Sequence, residues 1–373
     1  MASGPHTFAI CTVFSPERFK GNPLAIVAVR GNALSQQRKS LIAREFGYSE
    51  TVFVHDAPGP GLPRRIDIFT EQGVEIPFAG HPTIGVIHYI FTTCERFVPP
   101  PNGGRGEHER QQAVLMTKAG PVPVFYNPYR MVAACAVPHN MHLHKDRVTM
   151  DKILNRQPQI QIVPTYDRIK DKTFPVVSGV KGMTFVLVDL TEAPDVLGSL
   201  KTSEAPDYEL DAEWSPGFEG ALYYVRKDTM DQESEPTIHA IQARMISQGV
   251  EDPGTGSACC ALACYLATGE MKDLEPRVKA ESKEEGNVAD ELAKKTEEVK
   301  LEDTNKSDTK DKEKEKFERH VYAIQQGVEM GRLCTIAVEV DLKVERDGSR
   351  SIANVTLSGR VNFFARGELS PHP

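Results

Sequence analysis

Glu251 and Asp252 open the stretch EDPGTGSACCALACYLATGE, where a Gly/Thr/Ser turn leads straight into an almost wholly apolar run. The first amides of a helix lack intrahelical partners, and the helix dipole adds partial positive charge at the same end. A helix entered through this turn would bind an anion without a single Lys or Arg. Thr255, Gly256 and Ser257 could present N–H groups to a substrate carboxylate, and Ser257 could add its hydroxyl. Asp252 and Ser257 read equally as plain helix caps. FAGHPTIG repeats the arrangement with an imidazole. His81 there is either a proton donor or a capping histidine. In GYSETVFV, Glu50 stands at a helix-to-strand junction among apolar neighbours. Desolvation there would raise its pKa and suit a general base, although taken alone the position is that of an exposed acid at a strand start. Asn22, in GNPLAIVAV, occupies a turn into a strand and could bond either a ligand or the turn itself.

These side chains need elements to hold them. SQQRKSLIAREFG predicts a helix with Ser35 as N-cap and Gly47 just past its end. HPTIGVIHYIF predicts a second helix with Pro82 near its start, and SACCALACYLATG a third that ends at Gly269. The third is apolar nearly all round, so other structure must enclose it. The remaining elements read as strands rich in β-branched and aromatic residues: TFAICTVF, PLAIVAV, TVFVHD, RIDIFT, VLMTKAG, VPVFYN, MVAACAVP, GMTFVLVDL, ALYYVR, IHAIQARMI, LCTIAVEVDL and IANVTLSGRVNFFA. One apolar helix falls in each half of the chain, wrapped in strand candidates. The expected fold is therefore α+β, with two β-rich lobes, each around a central helix, and the two helix N-termini available to face a common cleft. The expected boundaries are 1–138 for the N-terminal lobe and 139–359 for the C-terminal lobe.

Composition narrows the function classes. The 373 residues carry a net charge of −8, which argues against nucleic acid or an anionic membrane as the main partner. No apolar run approaches a membrane span, and the N-terminus lacks the segments of a signal peptide. Seven cysteines, mostly inside apolar segments, suit a reducing compartment, so a cytoplasmic location is expected. Residues 98–112 read as a long exposed loop. Residues 272–316 are dominated by Lys, Glu and Asp and read as a solvated insertion without a catalytic part. PHNMHLH holds His139, His142 and His144, but no nearby acid or Cys completes a ligand set, so no metal is expected. P-loop, Rossmann and nucleophile-elbow motifs are missing from the sequence.

Taken in order, GNPLAIVAV, SETVFV, FAGHPTIG, EDPGTGSA and QQGVEMGR resemble the PhzF-like family, named after the phenazine-biosynthesis isomerase. The resemblance runs from about Thr7 to Arg366 outside the two insertions. It implies the diaminopimelate epimerase fold, with two similar lobes, each a β-barrel-like sheet around its helix and the active site between them. By the same analogy the last strand, within 360–373, returns to the N-terminal lobe. The resemblance makes Glu50 the acid/base carboxylate, His81 its neighbour, and Asp252 and Ser257 the opposite half-site. Gly80 and Gly256 match glycines that let backbone approach the ligand. It further implies a homodimer, a small carboxylate-bearing, cyclic amino-acid-like substrate, and no metal or organic cofactor. Racemases on this fold place a cysteine at each helix entrance, whereas this chain has Ala79 and Pro253 there, with Cys259 and Cys260 inside the helix. A carboxylate-based isomerase is therefore preferred to a two-thiol epimerase. An epimerase or lyase on the same residues, or an inactive ligand-binding protein, is the alternative.

Overall fold

The computed structural model describes residues 5–31, 34–59, 61–94, 110–214, 217–227, 238–269 and 316–369. The insertion expected over 272–316 lies outside them except for Lys316, which opens a strand, and residues 98–109 of the expected loop lie outside as well. In chain order the strands are β1 (His6–Val13), β2 (Asn22–Val29), β3 (Glu50–His55), β4 (Arg64–Thr70), β5 (Glu75–Ile76), β6 (Gln111–Thr117), β7 (Gly120–Asn127), β8 (Val132–Ala136) and β9 (His142–Thr149). They continue with β10 (Thr173–Val180), β11 (Met183–Asp189), β12 (Phe218–Arg226), β13 (Ile238–Ser247), β14 (Val250–Asp252), β15 (Lys316–Gln326), β16 (Cys334–Val344) and β17 (Arg350–Leu369). The α-helices are α1 (Gln36–Phe46), α2 (Gly80–Tyr89), α3 (Met150–Leu154), α4 (Val196–Ser199) and α5 (Gly256–Ala267). The result is a mixed α+β protein dominated by barrel-like sheet.

Pairing closes a ring in the first half. β17 pairs with β1, and the run continues through β2, β3, β4, β6, β7 and β8 back to β17. Helix α2 lies against β1, β2, β3, β7, β8 and β17. The second half repeats the pairing senses from β10 to β17: antiparallel, parallel, antiparallel, parallel, antiparallel, antiparallel. These match, step for step, the senses from β1 to β8. Helix α5 lies against β10, β11, β15, β16 and β17. β17 belongs to both halves, with Arg350–Ser358 on β16 and Val361–Leu369 on β1. Both helices are apolar all round because strands surround them: every residue of α2 is buried, and α5 is buried except at Ser257 and Leu266.

Helix α1 packs outside the ring and shows how local signals set boundaries. Ser35 Oγ accepts from the Arg38 N–H at 3.3 Å. Gly47 takes φ 63, a left-handed stop that glycine adopts without strain, and returns its N–H to Ala43 O at 3.1 Å. The inner face of α1 carries Lys39, 2% exposed, which pairs with the buried Asp67 on β4. His55 Nε2 and Arg65 Nε each approach Asp67 at 2.8 Å. Burial alone would push the Asp67 carboxyl up; hydrogen bonds from His55, Lys39 and Arg65 outweigh it and hold the group well below the usual range. A carboxyl depressed in the fold contributes stability above its unfolded pKa of about 3.9 and loses it as pH falls through the folded value. Asp67→Asn is expected to flatten the stability curve below about pH 5. Denaturant titrations across that range check this, and an unchanged curve would contradict it.

Candidate active site

The N-termini of α2 and α5 meet head to head. A Cβ on Gly80 would lie 3.4 Å from the Gly256 Cα and 2.7 Å from a Leu357 methyl carbon. On Gly256 it would lie 2.8 Å from that same methyl carbon. On the Cβ side of both glycines, the close approach in the structure is that of the other helix and of Leu357 on β17. Bringing two positive helix ends together favours negative charge nearby. Gly80→Ala is expected to cost about 1–3 kcal/mol through overpacking. Leu357→Val, which removes the clashing methyl, should return part of that cost in a double-mutant cycle read by denaturation. Simple additivity would count against the contact.

The negative charge comes from Glu50 and Asp252. Glu50 begins β3 with its side chain 19% exposed, and its Oε2 lies 3.5 Å from His81 Nε2. His81 is 5% exposed. Both facing atoms are buried without a hydrogen-bond partner among the described residues. Burial pushes the Glu50 carboxyl up, His81 and a Ser49 hydrogen bond oppose the shift, and the Asp252 charge adds to it. Asn22, at the start of β2 and 1% exposed, joins the two halves. Its Nδ2 lies 2.9 Å from Asp252 Oδ1, 3.0 Å from Gly254 O and 3.4 Å from His81 Nδ1.

Asp252 is heavily engaged. Oδ1 accepts from Asn22 and from the Gly254 N–H at 3.2 Å, and Oδ2 accepts from the Thr255 hydroxyl. Thr255 is the N-cap of α5, but its own N–H donates to Gln326 Oε1 at 3.1 Å. Of the three amides expected to hold a carboxylate, that leaves Gly256 and Ser257, the first two positions of α5. The first helical bond there runs from Cys259 N–H to Thr255 O, so the earlier amides have no intrahelical acceptor. The structure thus gathers Glu50, His81, Asn22, Gly80, Asp252, Thr255, Gly256 and Ser257 around one point.

Two nearby residues escaped sequence reasoning. Gln326, the last residue of β15, is fully buried, and its Nε2 donates to Asp252 O at 2.7 Å and Thr255 Oγ1 at 3.1 Å. Its motif, QQGVEMGR, was legible, but no spacing rule ties it to a loop seventy residues away. Arg244, on β13, holds Glu251 in a bidentate pair at 2.9 and 2.7 Å, with side-chain exposures of 7% and 6%. A lone Arg within the apolar run IHAIQARMI was the available signal.

The histidine stretch acquires the acid that sequence proximity did not supply. His142, His144 and Asp211 bring ligand-type atoms within 4.8 Å of one another. However, His144 Nδ1 accepts from the Asp211 N–H at 3.1 Å, and its Nε2 meets Ser178 Oγ at 2.8 Å. His142 stacks on Trp214 with ring centroids 4.7 Å apart. With both nitrogens of His144 engaged, the trio is a hydrogen-bonded packing cluster. No described helix is long and apolar enough to cross a membrane.

Comparison with known proteins bears on family and fold. The family model described as "Phenazine biosynthesis-like protein" matches residues 11–307. The trans-2,3-dihydro-3-hydroxyanthranilate isomerase of Pseudomonas aeruginosa is 26% identical over 70% of this chain and 80% of its own length. An uncharacterized isomerase of Pasteurella multocida is 37% identical, but the match spans only 33% of this chain and 37% of that protein. Among solved structures, the PhzF-family phenazine biosynthesis protein of Bacillus anthracis superposes with a TM-score of 0.59 at 17% identity, covering 99% of this chain and all of the other. That likeness is one of fold.

Proposed function

The chain belongs to the phenazine biosynthesis-like family and is an enzyme of the isomerase kind, and we propose that it moves a proton on a small carboxylate-bearing metabolite with Glu50 as its base. One observation carries this reading. Glu50 Oε2 and His81 Nε2 face each other across 3.5 Å as a buried acid–base pair, and neither atom has any other hydrogen-bond partner among the described residues. Buried hydrogen-bonding capacity left unmet costs about 1–3 kcal/mol, so this pair points to a ligand that completes the set. Burial makes Glu50 a stronger base than an exposed carboxylate.

In this mechanism the Gly256 and Ser257 amides, with the Ser257 hydroxyl, take the substrate carboxylate at the positive end of α5. Glu50 removes a proton from an activated carbon, the double bond shifts, and the Glu50 carboxyl, after exchanging that proton with solvent, delivers one to another carbon. His81 supports Glu50 by hydrogen bonding, and Asp252 serves as an anchor because three donors already fill its oxygens. That engagement disfavours an epimerase using Glu50 and Asp252 as opposed bases. A thiol pair is disfavoured too, since burial pushes Cys260 up to about 12 and Cys259 well above its ordinary value. The chemistry calls for no metal or organic cofactor. We read residues 1–138 and 139–359 as two lobes, each around its helix, with the site between them.

A panel of cyclic and unsaturated amino acids tests this, beginning with trans-2,3-dihydro-3-hydroxyanthranilate, the substrate named for the Pseudomonas relative. Proton NMR of the products should show a migrated double bond. Inversion at a stereocentre with no migration would replace this reading with an epimerase, and no conversion of any member would count against the substrate class.

A further inference from the structure

Gln326 lies at one end of an unbroken polar chain that crosses the site. Its Nε2 donates to Thr255 Oγ1, Thr255 donates its hydroxyl proton to Asp252 Oδ2, and Asp252 Oδ1 accepts from Asn22 Nδ2. Asn22 Nδ2 also meets His81 Nδ1, and His81 Nε2 faces Glu50. The direction of each link is fixed by chemistry. Asp252 Oδ1 and the Gly254 carbonyl can only accept, so the Asn22 atom lying 2.9 and 3.0 Å from them must be the amide nitrogen. The two Asn22 amide protons go to Asp252 Oδ1 and Gly254 O, so His81 Nδ1, 3.4 Å away, at most shares one of them; a proton on Nδ1 would point at this donor and find no acceptor there. The proton of the neutral ring then sits on Nε2, 3.5 Å from Glu50 Oε2.

Gln326 anchors the far end of this chain. It is fully buried and engages both faces of the 252–255 loop: the Asp252 carbonyl, the Thr255 hydroxyl and the Thr255 amide. Its Oε1 also accepts from the Cys259 thiol at 3.6 Å. We propose that Gln326 is a positioning residue which, by holding Thr255 and Asp252, lets Asn22 fix His81 as the Nε2–H tautomer directed at Glu50. Substrate need not touch Gln326. Its effect reaches Glu50 through four intervening side chains, which are Thr255, Asp252, Asn22 and His81. The inference rests on reading Glu50 and His81 as the proton-handling pair, but its test needs no substrate, so the two can fail separately.

The test is nitrogen NMR of the ligand-free, full-length protein labelled with ¹⁵N at histidine. The pH is held near 8.5, about two units above the ordinary imidazole pKa. His81→Gln identifies the His81 signals by their loss. The wild type is expected to show Nε2 protonated and Nδ1 bare. Asn22→Asp, of the same shape, replaces the donor with an acceptor and should move the proton to Nδ1. Gln326→Glu, also of the same shape, cannot donate to the Asp252 carbonyl and competes for the Thr255 hydroxyl. It should release the loop and populate both tautomers. A purely packing role for Gln326 predicts an unchanged His81 spectrum in Gln326→Glu, and that result would overturn the proposal. So would a wild-type ring protonated on Nδ1 or on both nitrogens, a measurement that depends on no variant folding.

Discussion

Glu50→Gln is expected to lower turnover by about 10²–10⁴-fold, the range that a positioned general base contributes, while leaving the protein at least as stable as the wild type. Both halves follow from burial. Glutamine keeps the shape of glutamate but cannot take a proton from carbon. Burial raises the Glu50 carboxyl in the folded state, so its ionised form subtracts stability once pH exceeds the unfolded value of about 4.3. Removing that charge at neutral pH removes the penalty. Steady-state kinetics and thermal melts on the same preparations check the pair. A large loss of turnover accompanied by a large loss of stability would mark Glu50 as structural.

Glu251→Ala is expected to have the largest effect on stability, about 3–5 kcal/mol, because it strands a buried guanidinium. Arg244 donates twice to Glu251 and once to the Leu197 carbonyl at 2.8 Å, and its second carboxylate neighbour, Glu329, lies 4.0 Å away. Neither Arg244 nor Glu251 has enough solvent access for water to replace the lost partner. Urea denaturation of both variants decides the matter. The double variant Arg244→Met/Glu251→Leu should recover most of the loss, since well-packed apolar side chains often replace a buried ion pair at little cost. A loss below about 1 kcal/mol in Glu251→Ala is the value for an exposed pair, and it would contradict the burial argument. Glu251 directly precedes Asp252, so turnover should fall along with stability.

The sequence carried the local elements well and the long-range ones poorly, for physical reasons. Ser35 and Gly47 bracket α1 because capping and left-handed φ are decided within a few residues. The all-round apolar character of α2 and α5 foretold their enclosure. Strand β15 escaped because its first residues, Lys316, Glu318, Arg319 and His320, continue the charge of the preceding stretch, while alternate positions turn inward only further on. Strand β9 was read as a histidine-rich stretch, and β10 carries Pro175 inside it. Glu50, His81, Asn22 and Asp252 were each legible as polar residues at element boundaries. Their convergence was not, because β1, β2, α2, α5 and the shared strand β17 meet only through pairings hundreds of residues apart, such as His6 with Leu369. The same separation hid Gln326, and it hid the contact of Gly80 with Gly256.

Solvent deuterium incorporation tests the central claim most directly. A substrate turned over by the wild type in deuterium oxide should gain a deuteron at the carbon that receives the proton, and Glu50→Gln under the same conditions should leave that carbon unlabelled. Equal labelling by both proteins would contradict Glu50 as the base that carries the proton.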